Sequence, residues 1–183
     1  MNASVTIQRQ RLTFRTVNRS GHPGYDPALQ RHHLLPRALT RRPWFVAMLD
    51  SLGSDLIDLD DFRRNGLLLP CKDTAAMRMG MPLHRGPHGS YNDLVGERLG
   101  QIERSWIEKR RQSPAAARQA VAMRIGLLQS ALRRRLMSPG GRPLRLNRFD
   151  PRQAGDRFAD LDAMAELLWS ASEPSALGAA HEW

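Results

Sequence analysis

A chain of 183 residues, 41 % of them hydrophobic and 25 % charged, carries enough apolar material for one core, as a single domain or a domain with an appendage. No apolar run approaches the roughly 18 residues of a membrane helix, and the single cysteine, Cys71, excludes both an intramolecular disulfide and a cysteine-built zinc cage. The 28 basic and 18 acidic residues leave a net charge of +10, and a field of that sign favours a polyanion, most simply nucleic acid.

All the basic residues except Lys72 and Lys109 are arginine, whose planar fork matches phosphate oxygens. The charge is also uneven. Residues 150–183 hold two basic and seven acidic positions, a balance of −5, which leaves +15 on residues 1–149.

Along the chain, partial alternation over residues 4–17 (Val5, Ile7, then Leu12, Phe14) predicts a strand or hairpin, and the Gly- and Pro-rich stretch 18–30 predicts a loop. Pro43 followed by Trp44-Phe45-Val46-Ala47-Met48-Leu49 predicts a short helix around 43–52, and residues 50–61 read as an acidic loop. Asn65-Gly66 is a turn signal, followed by a short buried strand, Leu67-Leu68-Leu69, stopped by Pro70. From His88 to Arg111, Tyr91, Leu94, Val95, Leu99, Ile102 and Trp106 recur at helical spacing. Ser113-Pro114 supplies an N-cap and first-turn pair for a second helix, striped by Val121, Ile125, Leu128, Leu132 and Leu136 and ending at Ser138-Pro139-Gly140-Gly141. Residues 156–171 predict a third, acidic amphipathic helix with Phe158, Leu161, Met164 and Leu168 on one side. These elements divide the chain into a core with its N-terminal strand and loop region (1–112), a basic helix and loop (113–149), and an acidic helical tail packed on the same domain (150–183).

Chemistry concentrates in the histidines. Of six, four fall in two tight groups, His32-His33 and His84-Arg85-Gly86-Pro87-His88. Histidine is the commonest transition-metal ligand and titrates near neutrality. Pro87 suits a first helical turn and not an interior, which predicts His88 in that turn and His84 on the approach to it. His32, His84 and His88 then form a three-ligand set with coordination positions left open, the mark of a catalytic site. Neighbouring strand residues face opposite ways, so His33 is left free for proton transfer.

As a set, His32-His33-x-x-Pro36, Asn65-Gly66-Leu67-Leu68-Leu69-Pro70 and His84-Arg85-Gly86-x-His88-x-x-Tyr91 resemble the AHH family of the HNH/endonuclease VII superfamily, over roughly residues 20–100. Arg31 stands where that family usually has a small residue, and the 31 residues between His33 and Asn65 exceed a minimal HNH motif, which implies an inserted helix. The resemblance implies an α+β fold with a ββα-metal core and additional, mainly helical elements. It implies His32, His84 and His88 as metal ligands, His33 as general base, and the Asn65 side-chain carbonyl holding a ring nitrogen of His33. It leaves the roles of His32 and His33 exchangeable.

The expected activity is that of a metal-dependent endonuclease, with DNA ahead of RNA as substrate, one divalent ion, and Arg85 sharing charge at the reacting phosphate. Imidazole donors suit Zn or Ni, and the resemblance adds Mg and Mn. Arg31, Arg110, Arg111, Arg133, Arg134 and Arg135 are the expected phosphate contacts. A bacterial toxin or defence nuclease held in check by an acidic inhibitor or immunity protein fits the charge. The N-terminal segment has no apolar stretch of signal-peptide type, which points to the cytoplasm, the cell's own or that of a target cell. The rival reading is a non-catalytic nucleic-acid-binding module with a structural ion.

Overall fold

The computed structural model describes residues 11–53, 56–138, 144 and 146–153. Two short strands lie at its centre. Strand β1 (Leu29–His33) pairs antiparallel with β2 (Gly66–Pro70), with His32 opposite Leu67 and His33 opposite Gly66. The Leu67 and Leu69 side chains are buried, as expected for an apolar run stopped by proline.

The segment between the strands carries the inserted helix. Helix α1 (Pro43–Leu52) has proline in its first turn and is stopped by Gly53, whose φ of 84° is open to glycine at little cost. Its Phe45, Met48 and Leu52 are buried on one face. A single-turn helix, α2 (Phe62–Asn65), follows, capped by the Asp61 carboxylate, which accepts from the Arg63 N–H at 3.0 Å. Asn65 and Gly66 therefore form a helix-to-strand junction, where their sequence predicts a tight turn; the Asp61 cap outweighs that local preference.

The strand or hairpin expected over residues 4–17 is corrected where it is described. Thr13 makes an isolated bridge to Asp61, and Phe14–Thr16 turn as a 3-10 helix that buries the Phe14 side chain. Residues 4–10 lie outside the described part.

After β2 comes α3 (Asp73–Met79), ended by Gly80 in the left-handed region, and then an approach loop to α4 (Gly89–Arg110). Tyr91, Val95, Leu99, Ile102 and Trp106 form the buried stripe of α4. Helix α5 (Pro114–Met137) starts at Pro114 as expected, but Ser113 makes no side-chain cap bond. Its Ala117, Val121, Ile125, Leu132 and Leu136 face inward against α4. One apolar cluster joins these side chains to Leu34 and Leu35 after β1, to α1, to β2 and to Leu146. The α+β expectation holds: a small two-stranded sheet with a helical surround. The acidic helix expected at 156–171 lies outside the described residues. No described helix is long and apolar enough to cross a membrane.

Candidate metal centre

Strand alternation separates the two adjacent histidines. His32 points into the fold and is 3 % exposed. Its ring lies 4.8 Å from that of His84 and 5.7 Å from that of His88, and His84 and His88 are 4.5 Å apart, centre to centre. One ring nitrogen from each of the three falls within 4.8 Å of the others, a grouping that could hold a metal ion once the rings draw in to ligand distance.

His84 sits on the approach loop, as expected. His88 is the N-cap of α4, one position before the first turn, and Pro87 precedes the cap.

The outer hydrogen bonds set which nitrogen each ring presents. His88 Nδ1 meets the Leu146 carbonyl at 2.9 Å; a carbonyl only accepts, so Nδ1 carries the proton and Nε2 keeps its lone pair. His84 Nδ1 faces Gln30 Oε1 at 3.2 Å, with the same consequence. His32 Nε2 is buried with no hydrogen-bond partner among the described residues. An orphaned buried nitrogen beside two rings already fixed by their far sides fits a divalent cation.

Burial, then the rings of His84 and His88, push the His32 imidazole down to about 2. Burial and His88 push His84 down to about 4. Both are neutral donors at physiological pH. Tyr91 closes this side of the site, its ring edge-on to His32 at 5.0 Å and its hydroxyl donating to the Leu34 carbonyl at 2.8 Å.

His33 faces the other way. Its ring stacks on Phe14 with centroids 3.6 Å apart and planes within 1°, and Phe14 in turn packs edge-on against Phe62. Burial first, then Arg37, lower its pKa to about 4, with Arg31 adding to the effect and Asp60 opposing it. The ring is therefore a free base at neutral pH.

The expected role of Asn65 is corrected. Its side chain is fully buried, and all four hydrogen-bonding positions are taken elsewhere. Oδ1 accepts from the Leu35 N–H at 2.8 Å and from Gln129 Nε2 at 3.2 Å; Nδ2 donates to the carbonyls of Leu59 at 2.9 Å and Leu35 at 3.3 Å. The Asn65 main-chain carbonyl also takes the Leu34 N–H at 2.8 Å. Asn65 therefore clamps the backbone just after His33 and leaves the ring to Phe14.

The model of AHH, a nuclease family of the HNH/ENDO VII superfamily with a conserved AHH, matches residues 13–131. The chain belongs to this family. No curated protein and no solved structure matches it. The AHH match runs beyond residues 20–100, taking in Phe14 at one end and most of α5 at the other. In the AHH signature the alanine position is held here by Arg31, whose guanidinium donates to the Phe14 carbonyl at 2.7 Å and so ties down the ring that stacks on His33. As an AHH nuclease the protein acts on nucleic acid, and the triad of His32, His84 and His88 is the group suited to a divalent metal.

The expected phosphate-binding arginines do not converge. Arg110 and Arg111 end α4, whose 22 residues span about 33 Å from the His88 cap. Arg110 lies over the Trp106 ring at 4.5 Å. Arg134 and Arg135 are exposed in the last turn of α5, which returns along α4 toward the histidines. Arg133 donates to the carbonyls of Arg63 at 2.8 Å and Arg64 at 3.4 Å, bracing α2. Arg85 is half-exposed and pairs with Asp73 at 3.6 Å.

Sequence reasoning missed Gln30, Phe14 and the segment 146–152. Gln30 was accessible in principle, since it shares parity with His32 on β1. The other two act across long sequence separations and leave no local signal.

Proposed function

We propose that this AHH nuclease is a divalent-metal-dependent endonuclease that hydrolyses phosphodiester bonds of DNA, with His33 as general base. The observation that carries the reading is the split of His32 and His33 to opposite sides of β1, one toward two other imidazoles and one onto Phe14. The rings of His32, His84 and His88 would hold the ion, and His33 stays outside that set. A divalent ion so held supplies Lewis-acid stabilisation of charge on the phosphoryl oxygens. His33 takes a proton from water as the water oxygen attacks phosphorus, and the P–O3′ bond breaks with the electron pair leaving on the 3′ oxygen. The stack on Phe14 and the Asn65 clamp fix where the base stands, and Arg85 is placed in sequence beside His84 to share the phosphate's charge. Phosphate contacts through arginine favour binding without base readout.

The net +15 of residues 1–149 supports a toxin or defence nuclease acting in a cytoplasm and restrained by an acidic partner. Incubation of purified protein with supercoiled plasmid and with RNA, across Mg, Mn, Zn and Ni, tests the reading. We expect nicking and linearisation of plasmid with at least one ion and loss of both on chelation. Cutting that survives exhaustive chelation contradicts a metal-dependent mechanism.

A further inference from the structure

The loop from Gly80 to His88 carries two of the three ligating rings and has no regular secondary structure of its own, so its backbone polar groups must be met from elsewhere. On one side the His84 N–H donates to the Pro70 carbonyl of β2 at 2.7 Å. On the other side the partners come from residues 146–152, beyond the family match.

Leu146 gives its carbonyl to His88 Nδ1, Asn147 Nδ2 donates to the Arg85 carbonyl, and Asp150 Oδ2 accepts the Leu83 N–H at 3.1 Å. Asp150 is 2 % exposed, and it also holds Arg152 Nη2 at 3.1 Å, while Arg152 Nη1 reaches the Gly80 carbonyl at 2.6 Å. A buried carboxylate thus joins both ends of a brace spanning the loop.

We propose that Asp150 is a positioning residue of the metal centre, docking residues 146–152 onto the Gly80–His88 loop so that the Leu146 carbonyl holds His88 Nδ1 and leaves Nε2 as the nitrogen that would ligate an ion. The inference rests on the metal site of the proposed function and extends it to a segment outside the matched family region. Removing the carboxylate leaves the buried Leu83 N–H without its acceptor and Arg152 with the Gly80 carbonyl alone, and the carbonyl that orients His88 loses its anchor. Outer-shell partners of metal-bound histidine typically govern affinity by 10- to 100-fold.

The test is titration of the metal-free 183-residue chain with Co²⁺, followed by its visible absorption, alongside thermal unfolding without metal. Asp150→Ala is expected to weaken Co²⁺ binding by about 10- to 100-fold and to change the absorption band. Asp150→Asn, which keeps an acceptor for Leu83, should fall between it and the parent. Leu132→Ala in the α5 core is the control: it lowers the melting temperature and leaves Co²⁺ affinity and spectrum unchanged. Where Asp150→Ala does not fold, Asp150→Asn and Asn147→Ala carry the comparison. Folded variants that melt lower yet bind Co²⁺ with the parental affinity and spectrum would make the brace a mere structural tie and overturn the proposal. A parent protein that binds no Co²⁺ would instead remove the metal site beneath it.

Discussion

His33 and His32 share a residue type and a peptide bond, yet the fold gives them different chemistry. His32 is buried among cation-ready rings, and His33 is held flat against Phe14. With His33 as the proposed base, its protonation should have a direct kinetic consequence. Its pKa is lowered to about 4 by burial and then by Arg37, so it loses base function only as pH falls toward that value. An ordinary imidazole titrates near 6.5. We expect kcat/KM of the metal-loaded enzyme to hold from neutrality to about pH 5.5 and to decline below it, since kcat/KM reports the free enzyme. A half-loss at pH 6.5 or above would show that the catalytic base does not feel this environment.

At the scale of elements, the junction of α2 with β2 backs His33, the proposed base. Gly66 lies opposite His33, and a Cβ built on it would overlap the Phe62 ring, which packs on Phe14. We expect Gly66→Ala to destabilise the fold by about 1–3 kcal/mol through this overlap and to be partly rescued by Phe62→Leu, as contacting sites couple. Denaturant melts of the single and double variants read this, and an unchanged midpoint for Gly66→Ala would mean that the ring yields freely. Strand β2, α1, α4 and α5 were legible in the sequence because apolar spacing, Pro43, Pro70 and Pro114 all agree locally; β1 was not, since its first two residues fall in a Gly- and Pro-rich stretch that reads as loop, and only the family resemblance implied it. The four histidines were legible as a set because their spacing is unusual. The duties of Asn65 and Phe14 were not, because each depends on partners far along the chain: Gln129 for one, His33 for the other. Residues 146–152 gave no motif, since Asn147, Asp150 and Arg152 mainly meet backbone groups of a loop far earlier in the chain, which any sequence supplies.

At the scale of the whole molecule, charge and topology together lead to an expectation of where nucleic acid lies. α5 doubles back along α4, so Arg134 and Arg135 stand at the histidine end, and Arg110 and Arg111 at the other. We expect DNA binding to weaken steeply with salt and cleavage to suffer more from Arg134→Glu with Arg135→Glu than from Arg110→Glu with Arg111→Glu. Equal losses would place the substrate along the whole hairpin. The division of labour between neighbouring histidines is best tested by calorimetric titration of His32→Ala and His33→Ala with a divalent ion, read beside plasmid cleavage. His33→Ala should bind the ion as the parent does while turning over about 10²–10⁴-fold more slowly, and His32→Ala should lose the ion. Loss of the ion in His33→Ala with retention in His32→Ala would reverse the assignment.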